Sequence, residues 1–232
     1  MKSIWAAIAL AGTISFGVAS STAQEYPNRA IRIIVPLTPG SGADIVGRLL
    51  AKKMSESWGQ PIVVENRAGA GTQIGTQAVA RSTPDGYTLL VQSASHAVNP
   101  ALYKSLPYDS LKDFVDVAIG HLKDGRLLAL GVGTERRTTI LPDVPTIAEQ
   151  GVTGYAVNLW FGMWAPAGTP ATVVNRLNAE VARSVAAADV REQFAKLGMQ
   201  PAPMSPEAFA KYVRAEIAIN QRIVADGGIE RQ

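Results

Sequence analysis

Small and polar residues in two short stretches have the types and spacing needed for ligand binding or catalysis. The first stretch runs Pro39-Gly40-Ser41-Gly42-Ala43-Asp44, and the second runs Ser93-Ala94-Ser95-His96. Each follows an apolar, β-branched run that is typical of a buried strand, namely Ile31 to Val35 and Tyr87 to Val91. Because ligands of open α/β sheets bind at the carboxyl ends of the strands, both stretches are candidate parts of a site.

The patterns of well-known catalytic sites do not fit these residues. Gly40-Ser41-Gly42 lacks the Lys-Ser/Thr ending of a phosphate loop, and the sequence has no G-x-S-x-G nucleophile elbow. Gly69-Ala70-Gly71 is followed by Gly75, one residue off the dinucleotide-binding spacing. We expect His96 to lie in a loop as a surface or ligand-contact residue rather than as a base. The sequence thus predicts a binding protein, not an enzyme, and implies no cofactor.

Composition excludes further classes of site and partner. The 232 residues include no cysteine and only two histidines, which argues against a disulfide framework, a thiolate metal site or a histidine-rich metal site. The formal net charge is +3, charged residues make up 18%, and there is no basic run interleaved with aromatic residues. We therefore expect no nucleic-acid partner.

The first 23 residues read as an export signal. Lys2 precedes an apolar stretch from Ile4 to Ala19, and Ser21-Thr22-Ala23 offers small residues for a signal peptidase. The apolar stretch is shorter than the roughly 20 residues that span a bilayer, and no basic flank follows it. We predict cleavage after Ala23 and a mature, periplasmic chain that begins near Gln24.

Three strands that each run into a polar or glycine-bearing loop, in a repeated strand-turn-helix order, predict an α/β fold. A helix begins near Asp44, a second strand covers Pro61 to Glu65, and a glycine-rich turn then leads into a helix from about Thr72 to Arg81. The third strand runs into a polar loop, Gln92 to His96. Free amide groups and the helix dipole make the first turn a natural seat for a carboxylate. Alternatively, its glycines only shape a tight turn, and Asp44 only caps the helix.

The rest of the chain is expected to supply scaffold. Leu111 to Ile119 reads as a helix or an extended crossing segment. Further elements are predicted as follows: strands at Leu127 to Val132 and Tyr155 to Ala165, a short helix at Thr146 to Gln150, and C-terminal helices that start after Thr169, at Asp189 and after Ser205.

The sequence from Tyr26 onward resembles the Bug or TctC family, the extracytoplasmic solute-binding receptors of tripartite tricarboxylate transporters. The resemblance covers nearly all of the mature chain in family order. The matching segments are Tyr26-Pro27, the V-P-x-x-P-G-x-x-x-D pattern from Val35 to Asp44, Val64 to Gly71 with Ile74-Gly75, Pro84 to Leu90, Asn99-Pro100, Leu106 to Asp109, Leu141 to Thr146, Trp160 to Gly162, and Ala165 to Pro170.

One departure from the family is large. After Lys112-Asp113-Phe114, members of the family continue into most of a second lobe before a His-x-Lys-x-Gly-x-Leu-x-Ala-Leu segment. Here His121 to Leu130 supplies that segment almost immediately. A block is therefore missing between roughly Val115 and His121. In the family that block carries ligand contacts that face the first lobe across the cleft.

The resemblance implies a type II periplasmic-binding fold of the α/β class, with one complete parallel-sheet lobe and a truncated second lobe. Residues 24–112 and 155–232 would form the first lobe, and residues 113–154 would be the remnant of the second. It also implies a monomer that binds a small carboxylate and works with the membrane components of the transporter. By matching position, three groups of ligand-binding residues are implied: Pro39, Gly40, Ser41, Gly42 and Asp44 in the gripping turn, Ser93, Ser95 and His96 on the cleft floor, and Trp160 and Phe161 near the hinge.

Three functions remain open from the sequence. The first is a receptor weakened by the internal loss, because ligand enclosure supplies much of the affinity in such pockets. The second is a truncated product of a degenerate gene that binds nothing. The third is an exported α/β enzyme, which the missing catalytic set disfavours.

Overall fold

The computed structural model describes residues 25–122, 137, 143–153, 159–197 and 199–232. The predicted export signal and the predicted strand from Leu127 to Val132 lie outside these residues. Within them, no helix has both the length and the apolar character needed to cross a membrane.

Among the described residues, six strands form one mixed sheet in the order β2-β1-β3-β5-β4-β6. Their bounds are β1 Ile31–Val35, β2 Ile62–Asn66, β3 Thr88–Ser93, β4 Phe114–Leu122, β5 Leu159–Pro166 and β6 Met199–Pro201. The first three predicted strands are confirmed, with shifts of one or two residues at their ends. Of the two alternatives for residues 111–119, the extended one is correct, since β4 begins at Phe114.

Parallel pairing is confined to one half of the sheet. β1 pairs in parallel with β2 on one side and with β3 on the other. In contrast, β3 with β5, β5 with β4, and β4 with β6 are antiparallel pairs. The expectation of a parallel-sheet lobe therefore holds for β1, β2 and β3, and the complete sheet is mixed.

In the part of the chain that the structure describes, six α-helices cover both faces of the sheet: α1 Gly42–Trp58, α2 Gln73–Ala80, α3 Ser95–Leu102, α4 Ala171–Ala186, α5 Ala188–Lys196 and α6 Pro206–Asp226. A short 3₁₀ turn, Ala70–Thr72, precedes α2. The predicted start of α6 is confirmed, because the Ser205 hydroxyl accepts from the Ala208 amide at 3.2 Å. The predicted Thr169 cap is wrong, because the Thr169 hydroxyl donates instead to the Pro166 carbonyl at 2.7 Å.

The strand β4 lies inside the main sheet, between β5 and β6. Its register with β5 runs from Phe114 opposite Pro166 to Leu122 opposite Leu159. Phe114, Val117 and Ala118 are buried in the core. The predicted division of the chain at residue 113 stays a prediction, although this first segment after the division belongs to the same sheet as β1. The short helix predicted at Thr146 to Gln150 is wrong, because residues 147–151 form hydrogen-bonded turns.

The core has one layer on each face of the sheet. The face covered by α1, α4 and α5 is aliphatic, with Leu50, Met54 and Leu177 among its buried residues. The other face, covered by α3 and α6, is aromatic: Trp160, Trp164 and Phe209 are fully buried and have ring centroids 5.3 to 6.0 Å apart. The predicted aromatic strand is thus confirmed as β5 from Leu159 onward.

His96 belongs to the aromatic layer, and its expected place in a surface loop is wrong. Of the predicted loop, Gln92 to His96, only Ala94 lies outside a helix or strand, because β3 continues to Ser93 and α3 begins at Ser95. The His96 ring is fully buried, with its centroid 4.2 Å from that of Trp164 and 5.0 Å from that of Phe114. Nε2 lies 3.1 Å from the Ser110 carbonyl, which can only accept, so Nε2 carries the proton.

We expect Gly162→Ala to destabilise the fold by about 1–3 kcal/mol, because an added methyl group would overpack the aromatic layer. A Cβ atom at this position would lie 2.5 Å from Phe209 Cζ and 2.6 Å from Trp164 Cη2. Urea unfolding would measure the loss. Leu159→Ala, at an exposed position of the same strand, is the control and should change stability by less than about 0.5 kcal/mol. Equal stability of Gly162→Ala and wild type would contradict the packing described here.

The aromatic layer also predicts two opposite pH dependences. Burial lowers the pKa of His96 from 6.5 to about 4, so its contribution to stability is lost as pH falls through that range. Asp116 accepts a hydrogen bond from Trp164 Nε1 at 2.9 Å. Burial raises the pKa of Asp116 from 3.8 to about 6, so its contribution is present at low pH and lost as pH rises through 6.

His96→Gln and Asp116→Asn separate these two contributions. Relative to wild type, the free energy of unfolding of His96→Gln should rise as pH falls from 6.5 toward 4, by up to about 3 kcal/mol. That of Asp116→Asn should fall, relative to wild type, as pH falls from about 6. Urea unfolding between pH 4 and 7.5 would test both. Curves that run parallel to the wild-type curve would show that neither group titrates with the fold.

Candidate functional site

The carboxyl ends of β1, β2 and β3 meet at one edge of the sheet. These strands are parallel neighbours, and each leads into a helix whose N-terminus faces the same edge. The connections are residues 36–41 before α1, the turn 67–72 before α2, and Ala94 before α3. Backbone N–H groups in the first turn of a helix have no partner within the helix, and the helix dipole adds partial positive charge there. This edge therefore collects hydrogen-bond donors from three segments.

In the first connection, Ser41 rather than Asp44 is the N-cap of α1. The Ser41 hydroxyl accepts from the Asp44 amide at 3.3 Å, while Asp44 Oδ2 accepts from the Gly40 amide at 2.9 Å. The prediction that Asp44 caps the helix is therefore corrected: its carboxylate closes the turn from within the helix. In the described part of the chain, the amide of the half-buried Gly42 has no acceptor. Ala43 is fully buried, so its amide is closed to a ligand.

Asp44 is committed to protein partners. Arg48 Nε lies 3.0 and 3.1 Å from its two carboxylate oxygens, and the Asp44 side chain is only 5% exposed. Burial alone would raise the pKa of Asp44, but the hydrogen bonds from Arg48 and from the Gly40 amide outweigh it and hold the pKa below its usual value. An ionised carboxylate only accepts hydrogen bonds, so Asp44 shapes the turn and does not itself hold an anion.

Arg48 and Asn66 connect the first turn to the second. Arg48 Nη2 donates to Asn66 Oδ1 at 3.0 Å, and Asn66 Nδ2 donates to the Leu37 carbonyl at 3.0 Å. The neighbouring Arg67 pairs with Glu65 at 2.5 Å. The two arginines place positive charge at this edge of the sheet, although each is partly neutralised by its acidic partner.

The second connection contains a left-handed turn that sequence reasoning did not include in the site. Gly69, Ala70, Gly71 and Thr72 all have positive φ, at 137°, 45°, 61° and 77°. Left-handed backbone costs L-residues roughly 1–2 kcal/mol each, and strain of this kind concentrates at functional sites. Within the described chain, the exposed amides of Ala70 and Gly71 have no acceptor. The Gly69-Ala70-Gly71 motif is the sequence signal for this turn, although its spacing does not fit dinucleotide binding.

In the third connection, Ser93 and Ser95 are half-buried with their hydroxyl oxygens 2.9 Å apart. They lie at the shared edge, as predicted. Phe161 pairs with Ser93 at the same edge, but the side chains of three further predicted site residues are buried. His96 is fully buried, as is Trp160, whose Nε1 donates to Glu216 at 3.1 Å, and Phe161 is 8% exposed. His96 and Trp160 pack in the aromatic layer and Phe161 packs in the aliphatic layer, so their contact with a ligand stays a prediction.

A separate cavity of about 30 Å³ lies inside the aliphatic layer, between α1, the sheet, α4 and α5. Its lining is apolar, with Leu50, Phe161 and Val181 among its walls. Burial of an ion there without hydrogen bonds would be costly, so this cavity does not suit an anion. No group of three or more potential metal ligands occurs among the described residues.

Sequence comparison gives a match to the tripartite tricarboxylate transporter family receptor, over residues 46–120 and 116–229. The two matched segments overlap at residues 116–120, which lie inside β4. The UPF0065 protein in the tcbD-tcbE intergenic region of Pseudomonas sp. (strain P51) is 30% identical over 319 aligned positions, covering 97% of this chain and 94% of the relative. Protein BugT of Bordetella pertussis is 29% identical over 299 positions, covering 89% of this chain and 92% of BugT.

These alignments are longer than the 232-residue chain, so part of each relative stands opposite gaps in this sequence. Together with the family match that breaks between residues 116 and 120, this agrees with the predicted loss of a block between Val115 and His121. The chain is shorter than its relatives, and the break falls within one strand of the sheet.

Solved structures share the fold. The structure of a periplasmic transporter has a TM-score of 0.79 at 28% identity, covering 89% of this chain and 99% of the other. MatC from Rhodopseudomonas palustris, with bound malate, has a TM-score of 0.75 at 27% identity, covering 86% of this chain and all of MatC. With a family match over most of its length, the chain belongs to the TctC family of tripartite tricarboxylate transporter receptors.

Proposed function

We propose that this chain is a solute-binding receptor that captures a small carboxylate at the carboxyl ends of β1, β2 and β3. The observation that carries the proposal is the convergence of three donor segments at one edge. Gly42 offers an unpaired amide from one turn, and Ala70 and Gly71 offer theirs from the next. Donors of this kind suit the oxygens of an anion. MatC, which shares the fold at 27% identity, has malate bound.

The donors divide naturally between the parts of a carboxylate ligand. The α1 turn and the left-handed turn follow adjacent strands, so their amides can hold the two oxygens of one carboxyl group. The hydroxyls of Ser93 and Ser95 follow the next strand and can both donate and accept. We assign them to a neutral or second polar group of the ligand. Arg48 and Arg67 add positive charge that favours an acidic solute over a neutral one.

Location and partners follow from family membership as parts of the same proposal. The chain would be exported to the periplasm by a cleaved signal ending at Ala23, and would work there as a monomer. It would deliver its ligand to the membrane components of a tripartite tricarboxylate transporter. No catalytic role is proposed, since the polar groups at the edge are hydrogen-bond donors with no paired nucleophile and base.

The missing block sets the expected affinity. Binding sites of this kind gain affinity by enclosing most of the ligand surface. This chain lacks a block that its relatives have between the positions of roughly Val115 and His121. We propose that the edge binds its carboxylate with a dissociation constant in the millimolar range or weaker. A truncated product that binds nothing is the second candidate.

Thermal unfolding of the chain from Gln24 onward, with mono-, di- and tricarboxylates at up to 100 mM, tests the proposal. A ligand with a dissociation constant near 1 mM would stabilise the fold by about 2.7 kcal/mol at that concentration. We expect the midpoint to rise by roughly 5–10 °C for at least one carboxylate. Sodium chloride at matched ionic strength is the control. A cooperative transition that no carboxylate moves would favour the non-binding candidate.

Gly42→Pro tests the contribution of the α1 turn. Gly42 is the first residue of the helix, and Ser41 before it has φ −66° and ψ 159°, a conformation that a following proline accepts. The change removes one unpaired amide without disturbing the helix. We expect affinity to fall about tenfold at unchanged or higher stability. Ala188→Pro makes the same change at the first residue of α5, after extended Ala187, and should leave affinity unchanged. Equal affinities of both variants would contradict a role for the Gly42 amide.

A further inference from the structure

The left-handed turn, residues 69–72, depends on side chains that lie beneath it. Ala70 and Thr72 are the two non-glycine residues with positive φ in the described chain. An L-residue holds this conformation only where its surroundings fix it. Glycine would remove the strain at position 72, so the presence of threonine points to a use for its side chain.

The Thr72 hydroxyl is the centre of a buried hydrogen-bond network. Asn99 Nδ2, on α3, donates to Thr72 Oγ1 at 3.1 Å and to the Gly71 carbonyl at 2.9 Å. Gln92 Nε2, on β3, donates to Thr72 Oγ1 at 2.9 Å. The Thr76 hydroxyl donates to the Thr72 carbonyl at 2.8 Å and lies 2.9 Å from Gln92 Oε1. These bonds hold both the side chain and the carbonyl groups of the turn.

Burial makes this network hard to break. Gln92 and Thr76 are fully buried, and Asn99 and Thr72 are 4% and 8% exposed. Loss of one partner would leave the others desolvated without hydrogen bonds, which is more costly than loss of an exposed bond. Tyr103 restricts the turn from another side, because its hydroxyl occupies the space that a side chain at Gly71 would need.

The same network reaches the third donor segment. Gln92 Nε2 also donates to Ser95 Oγ at 3.1 Å, and Ser95 Oγ lies 2.9 Å from Ser93 Oγ. One buried amide therefore contacts both the left-handed turn and the serine pair. Movement of either segment would break its hydrogen bond to Gln92.

We propose that Asn99 and Gln92 are positioning residues for carboxylate capture: they hold the left-handed turn in its strained conformation and fix its distance to Ser93 and Ser95. This inference rests on the proposed function for its link to the ligand. Neither side chain needs to touch the ligand. Their effect is to keep the amides of Ala70 and Gly71 directed at one point, so that binding does not have to order the turn.

Asn99→Leu removes the amide at nearly constant volume, and Asn178→Leu is its matched control. Asn178 lies on α4, away from the edge, and its Nδ2 donates to the carbonyls of Val117 at 2.6 Å and Met204 at 2.7 Å. Asn178→Leu thus loses two hydrogen bonds to carbonyl groups. Asn99→Leu loses one to a carbonyl group and two to hydroxyl groups, those of Thr72 and Tyr108. Amide order parameters from ¹⁵N relaxation, measured well below the unfolding midpoints, report the turn directly. We expect values for residues 70–72 to fall from about 0.85 to below about 0.6 in Asn99→Leu only.

Affinity for malate, titrated in the same samples, should fall at least about tenfold in Asn99→Leu and stay unchanged in Asn178→Leu. Thr72→Ser, which keeps the hydroxyl, should behave as wild type, and Thr72→Val should behave as Asn99→Leu. Rigid 70–72 amides in Asn99→Leu and Thr72→Val would overturn the inference whether or not the wild type binds. A mobile turn together with a wild type that binds no carboxylate would support the positioning of the turn and refute the proposed function.

Discussion

Parallel pairing of β1 with β2 and β3 is the constraint on which the candidate site depends. Parallel neighbours end at the same edge, so the helices that follow them start side by side. The unpaired amides of α1 and of the left-handed turn are therefore brought together by chain direction, without any single side chain selecting them. Side chains then secure the edge: Ser41 and Asp44 close the first turn, and Gln92 and Asn99 support the second.

The antiparallel half of the sheet contains the point at which the chain is shorter than its relatives. β5 pairs with both β3 and β4 and carries Trp160 and Trp164, the largest fully buried side chains. β4 closes this arrangement over nine residues, although the family match breaks within it. Buried residues pack on both faces of this sheet, so the core does not depend on the missing block within the part of the chain that the structure describes.

Much of the fold could be predicted from local patterns, whereas the site could be predicted only in part. The β-branched run from Ile31 to Val35 and the Ser205-Pro206 helix start each depend on nearby residues, and both are confirmed. His96 was misplaced because Ser93-Ala94-Ser95 resembles a loop, while burial against Trp164 and Phe114 is a tertiary effect that spacing does not reveal.

The cap of α1 shows the same limit at shorter range. Ser41 and Asp44 both have capping side chains, and only the backbone conformation of Ser41 decides between them. The left-handed turn was hidden for another reason. Thr72 and Ala70 seldom take positive φ, and the support for the turn comes from Gln92 and Asn99, which lie 20 and 27 residues away from Thr72 in the chain.

The most direct test of the account is a titration of the ¹⁵N-labelled chain with malate, followed by amide chemical shifts. The central claim is that backbone donors at the carboxyl ends of β1, β2 and β3 hold the carboxylate. We expect saturable changes in amide chemical shift that are largest for residues 40–44, 70–73 and 93–96, with millimolar or weaker affinity. Saturable shifts centred on other residues would contradict this claim. So would shifts that, for malate and for every other carboxylate, are no larger than those caused by chloride at equal ionic strength.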